Sequence, residues 1–172
     1  IRRQRQMCIR DSLKNYQQQS KDWLFGYLSY DLKNDLEALE SNNFDGLQFA
    51  DLYFFQPKKI FIFKDDILEI HYLFMCDDEF ETDLVAIQNC KHSVSSSPNL
   101  EIKQRIDEEN YISRVTKMLS HIQRGDIYEA NFCMEFYANE AIIEPIEIFQ
   151  KLNIISNTPF GLFFKNKNQY LL

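Results

Sequence analysis

The sequence predicts an α+β domain, and three observations carry that reading. The stretch Leu52 to Phe74 is rich in β-branched and aromatic residues around two turn signals, and Asp107 to Gly125 shows apolar residues at helical spacing between a capping residue and a glycine stop. The third is size: 172 residues with 45% hydrophobic and 15% aromatic content can bury a sizeable core in one domain or most of one.

In chain order, Asp22 to Leu32 (DWLFGYLSYDL) reads as aromatic, β-rich sequence. Strands follow around Gln56-Pro57-Lys58 and Lys64-Asp65-Asp66, and the second turn signal predicts a hairpin that pairs KIFIF with ILEIHYLF. Asp78 to Cys90 reads as a short helix, and Cys90 to Asn99 as a polar loop, the single low-complexity patch of the sequence. Asp107, with Glu108 and Glu109 behind it, starts a helix along Tyr111, Val115, Leu119 and Ile122 that Gly125 stops. Asp126 to Ala138 then switches toward a two-residue period, Glu144-Pro145 opens a second helix to about Leu152, and FGLFF and QYLL read as two final strands.

Composition excludes several classes of function. A formal charge of -7 and a pI near 5.0 argue against a nucleic-acid surface, and no apolar run reaches the roughly 20 residues needed to span a bilayer. Cys8, Cys76, Cys90 and Cys133 form no C-x-x-C pair and no metal-ligand spacing with His71, His92 or His121, which fits reduced thiols in a cytoplasmic protein.

The remaining chemistry is sparse. Asp65-Asp66 and Asp77-Asp78-Glu79 could face a hard cation, but neither has the spaced oxygen ligands and glycine of a calcium loop, and solvated turns explain them better. His121 is either an acid/base or a residue favoured at the negative end of a helix dipole, and the second reading is preferred. Ser95-Ser96-Ser97 lacks the glycines of a nucleophile elbow, and four scattered glycines make no phosphate loop. Tyr53, Phe54, Phe55, Phe61 and Phe63 read as a sheet face and core, because an acidic chain makes a poor base-stacking platform.

Two motifs go further. G-Y-x-x-Y-D-L at Gly26 to Leu32 and I-x-x-G-D-I-Y-x-x-N at Ile122 to Asn131, in that order and followed by FQKLNIISNTPFGLFFKNKNQYLL, resemble the N-terminal half of the chorismate-binding enzymes. That family includes component I of aminodeoxychorismate synthase and of anthranilate synthase, and the isochorismate and salicylate synthases. The resemblance implies an incomplete half of a sandwich of mostly antiparallel sheet with flanking helices. The aminodeoxychorismate type is the closer likeness: anthranilate synthases carry an N-P-S-P-Y segment in their tryptophan feedback pocket, and the matching stretch here is Thr158-Pro159-Phe160-Gly161-Leu162.

The resemblance also implies the chemistry. It places Asn131 near the substrate cavity as a chorismate-binding residue, whereas the residues alone favour a strand amide satisfied by backbone. Gly125 and Asp126 read as turn chemistry. The implied cofactor is Mg2+, with its ligands and the catalytic groups in the C-terminal half outside this sequence, and the implied partner is a glutamine amidotransferase that supplies ammonia. The expected product is 4-amino-4-deoxychorismate, with anthranilate synthase or a non-catalytic ligand-binding module as alternatives.

The first twelve residues, with four arginines and two glutamines, stand apart. Arg2 through Asp11 follow, codon for codon, one reading frame of a sequencing-library transposon adapter, which is expected to make residues 1–12 an artefact and not a basic arm. The expected organisation is then a strand-rich part over 13–90, a loop over 91–100, and the start of the chorismate-binding part over 101–172, truncated at its end.

Overall fold

A computed structural model describes residues 12–37, 39–91 and 100–172. The expected artefact at 1–12 and the expected loop at 91–100 lie almost wholly outside those residues, as does Ser95-Ser96-Ser97. The architecture is α+β, built of short antiparallel two-stranded sheets and several helices.

The chain divides into two compact units. Among the described residues the first runs to Lys91 and adds Lys167–Gln169, and the second takes Leu100 to Asn166 with Tyr170–Leu172.

In the first unit, residues 12–20 form helix α1. Strand β1 (Phe25–Leu28) pairs antiparallel with β2 (Leu52–Phe55), Phe25 opposite Phe55 and Tyr27 opposite Tyr53, so that four rings share one face. Tyr27 and Tyr53 stack at 5.9 Å between centroids, and Phe25 lies 6.2 Å from Phe55. Gly26 permits this pairing: a Cβ there would lie 2.8 Å from Phe54 Cα and closer still to the Tyr53 carbonyl oxygen. A short helix α2 (Lys33–Leu36) fills part of the connection.

The predicted hairpin is present. Strand β3 (Lys59–Lys64) pairs with β4 (Ile67–Tyr72) from Lys59↔Tyr72 to Lys64↔Ile67, and Asp65 takes the left-handed conformation that so tight a turn requires (φ 53°). The Leu73 amide extends the ladder to the Lys58 carbonyl at 2.9 Å. The chain then turns through a 3-10 segment at Phe74–Glu79 into α3 (Phe80–Gln88), which matches the helix expected there. At this turn Cys76 is buried, its thiol donating to the Leu73 carbonyl at 3.3 Å.

In the second unit, β5 (Lys103–Gln104) pairs with β6 (Phe136–Tyr137), and α4 (Glu108–Arg124) lies between them in sequence. The ends of α4 are those expected. The Asp107 carboxylate accepts the Asn110 amide at 2.8 Å, which holds that carboxyl below its ordinary range, and Gly125 closes the helix at φ 81°. Helix α5 (Pro145–Ile155) runs three residues beyond the expected Leu152, and β7 (Phe164–Asn166) pairs with β8 (Gln169–Leu171), whose first residue is grouped with the first unit.

Two expectations are corrected here. Asp126 to Ala138 is irregular except at Phe136–Tyr137, because a strand persists only where another backbone pairs with it, and β5 is two residues long. Of FGLFF, only Phe164 is in a strand: the turn at Lys167-Asn168, with Lys167 at φ 53°, brings β7 and β8 together on its two sides and shifts the first of them toward the C-terminus.

The core is thin. Cys76 is the single fully buried apolar side chain among the described residues, while Phe63, Phe74, Met75, Ile154, Ile155 and Phe160 are each more than 70% exposed. Of the aromatic strip expected in a core, Tyr53, Phe54 and Phe61 are half-buried, whereas Phe55 and Phe63 are exposed.

Candidate functional site

The segment singled out by its motif leaves α4 at Gly125 and returns to β6. Its first residue is tied down firmly. The Asp126 amide donates to the His121 carbonyl at 3.0 Å, and its Oδ2 accepts Arg124 Nη2 at 2.7 Å and lies 2.8 Å from His121 Nδ1. This closes the carbonyl end of α4 with backbone and side chain together, so Gly125 and Asp126 perform the turn chemistry expected of them. His121 belongs to the same closure and sits in the last turn, where a cation is favoured.

Beyond Asp126 the chain is irregular as far as Glu135. Tyr128 is 93% exposed, Asn131 is exposed, and Phe132 turns back onto Tyr111 with ring centroids 5.2 Å apart. The segment ends in a fork: Arg105 Nε and Nη2 donate to the two oxygens of Glu135 at 2.8 and 3.2 Å, and the Arg105 amide donates to the Glu135 carbonyl at 2.9 Å. The guanidinium also lies 3.8 Å above the Tyr137 ring. Glu135 is thereby held below the ordinary carboxylate range by Arg105, and Arg105 is pushed further up by Glu135. Asn131 thus occupies a stretch fixed at three points: Asp126, Phe132 and Glu135.

A groove of about 400 Å³ lies elsewhere in the same unit. Phe149 and Leu152 of α5, Phe160 and Leu162 of the following turn, and Leu171 form apolar walls, with Asn153, Ser156 and Thr158 as polar groups and no charged side chain. Its lining includes Thr158, Phe160, Gly161 and Leu162, from the stretch set beside N-P-S-P-Y in the sequence.

Two of the acidic turn residues, Asp65 and Glu79, have structural roles. Asp65 shapes the hairpin turn, and Glu79 joins Asp83 in pairing with Lys59, Glu79 at 2.6 Å. Tyr72 donates its hydroxyl to Asp83 at 2.6 Å. Among the described residues no group of three or more His, Cys, Asp or Glu side chains converges to hold a metal ion. The described residues therefore do not by themselves assemble a donor set for Mg2+. No described helix is long and apolar enough to cross a membrane, and Cys76, Cys90 and Cys133 are free thiols.

The motif singles out Asn131 and Asp126 in the sequence but not the Arg105–Glu135 fork. Its members are thirty residues apart and match no motif, so only the alternation of charge along the chain could have hinted at it.

Comparison with known proteins decides the family. The chorismate binding enzyme family matches residues 2–172. The chain belongs to that family. It is also 30% identical over 151 residues to an anthranilate synthase component I-like protein of Synechocystis sp., covering 84% of this chain and 30% of the relative. The chain thus spans about 30% of the length of the curated relative it matches. No solved structure is significantly similar.

Proposed function

We propose that the chain is part of an aminodeoxychorismate synthase component I, which converts chorismate and ammonia to 4-amino-4-deoxychorismate on the way to para-aminobenzoate and folate. Membership of a family of chorismate-binding enzymes supports the substrate class. The observation that carries the choice of branch is the stretch Thr158 to Leu162 in the position of N-P-S-P-Y. The groove there offers no charged side chain to a free amino acid, whose ammonium and carboxylate would both need partners. A tryptophan feedback pocket of the anthranilate synthase kind is poorly served by such a lining.

In this reading Asn131 is a substrate-binding residue. Its side-chain amide can donate to a carboxylate or hydroxyl of chorismate and accept from a hydroxyl, and it orients the ring without entering the bond changes. Mg2+ would supply charge stabilisation as the ring hydroxyl leaves, and its ligands and the nucleophilic lysine would come from parts of the protein beyond this chain. A glutamine amidotransferase, fused or separate, would supply the ammonia, and the protein would work in the cytoplasm. The domain plan follows: residues 13–90 a strand-rich N-terminal part, 101–172 the beginning of the chorismate-binding part. The exposed aromatic and aliphatic side chains of both units suit a chain covered by further sequence.

The anthranilate synthase reading has one observation of its own, the name of the Synechocystis relative. Steady-state kinetics of the full-length protein test the proposal. Chorismate consumption that depends on ammonia and Mg2+, with KM raised in N131A, is expected. Consumption with neither dependence, or an unchanged KM in N131A, contradicts the activity or the site respectively.

A further inference from the structure

We propose that Arg105 is a positioning residue: its fork on Glu135 sets the register of the β5–β6 pair and, through it, the place of Asn131. The inference rests on the reading of Asn131 as a substrate contact.

Strand length is the first reason. Two paired residues, Lys103↔Tyr137 and Gln104↔Phe136, cannot hold a register by backbone hydrogen bonds alone. Burial does not supply the missing specificity. Lys103, Gln104 and Phe136 are exposed and Tyr137 is only half-buried, so no fully buried side chain fixes the faces of the pair. The Tyr111–Phe132 contact holds the middle of the segment, but two rings slide past one another more readily than a planar fork leaves a carboxylate.

Arg105 removes the ambiguity with three ties in one place. The backbone amide, the guanidinium fork and the ring of Tyr137 each require Glu135 and Tyr137 in this register. A slip of one residue would carry the segment along by ~3.3 Å, more than the difference between a hydrogen bond and none. Asn131, four residues before Glu135 in sequence, would move with it. Lysine cannot substitute, because its point charge makes no fork and lies differently on an aromatic ring.

The test uses the full-length protein with R105K, R105Q and the exchanged pair R105E/E135R. Hydrogen exchange over the peptides that contain Lys103 to Asp107 and Glu135 to Tyr137 reads the register directly: R105K and R105Q are expected to exchange there about tenfold faster, and the exchanged pair to return toward the parent rate. In the same proteins R105K is expected to raise KM for chorismate several-fold with kcat little changed, as for loss of ground-state positioning, and the exchanged pair to restore it. Unchanged exchange in R105K, or no recovery in the exchanged pair, overturns the proposal. N131A separates the two claims: if it leaves KM unchanged, the site reading of Asn131 fails, while the exchange rates still decide whether Arg105 sets the register.

Discussion

Two glycines of this chain should respond to the same substitution for different reasons and over different stretches of backbone. At Gly26 an added Cβ meets backbone: Phe54 Cα and its side chain at 2.8 Å, and the Tyr53 carbonyl oxygen closer still. Ordinary contact for such a carbon is about 3.4 Å or more, and strands sit ~4.8 Å apart, so β1 and β2 must separate until their ladder hydrogen bonds fail. The cross-strand ring pairs Tyr27–Tyr53 and Phe25–Phe55 go with them, at ~0.5–1.5 kcal/mol each and roughly 1–3 kcal/mol in all. Gly125 has open space around it and φ 81°, so alanine there costs only the left-handed backbone strain of about 1–2 kcal/mol. Hydrogen exchange followed by peptide mass spectrometry separates the cases. G26A should lose protection across Phe25–Leu28 and Leu52–Phe55 together, whereas G125A should lose it only in the last turn of α4. Retained protection of β1 and β2 in G26A would refute the steric argument.

Further outcomes follow from the same reasoning. Tyr72 has its ionisation pushed up to about 12, first by loss of hydration and then by its bond to Asp83. A neutral phenol is thus favoured in the fold, and the stability it contributes is complete below the ordinary tyrosine range and lost as pH rises through about 12. The D83N minus parent difference in tyrosinate absorbance should show one tyrosine ionising at lower pH, and superimposable titrations would contradict this. Asp83 is itself held low, chiefly by Lys59 and then by Tyr72, so its contribution is present above the ordinary carboxylate range and lost as pH falls through its depressed value. Acid titration should loosen α3 from the hairpin, read as faster exchange in Phe80–Gln88, and an acid-insensitive α3 would tell against the pairing. Residues 13–172 expressed alone should bind a hydrophobic dye and unfold without a sharp transition, because so much apolar surface is open. A single cooperative melt from a monomer would overturn that expectation.

What was legible in the sequence was local. The hairpin at Asp65-Asp66 and the helix from Asp107 to Gly125 are set by turn and cap chemistry within a few residues, and both stand where expected. Asp126 to Ala138 misled, since its two-residue period suggested a strand whose existence depends on a partner some thirty residues earlier. That partner, Lys103–Gln104, is a polar dipeptide with no periodic signal. The final hairpin was displaced because the Lys167-Asn168 turn, made with lysine in the left-handed region, carries neither glycine nor proline to announce it. In the candidate site, Asn131 was reached through a family motif, whereas the clamp around it depends on Arg105 meeting Glu135 across a helix.

The most direct test of the central claim is the fate of labelled ammonia. Full-length protein given chorismate, Mg2+ and 15N-ammonia should place the label on C4 of the ring, read by 15N coupling in the isolated product. Label at C2, or an amine-free product, would contradict the account.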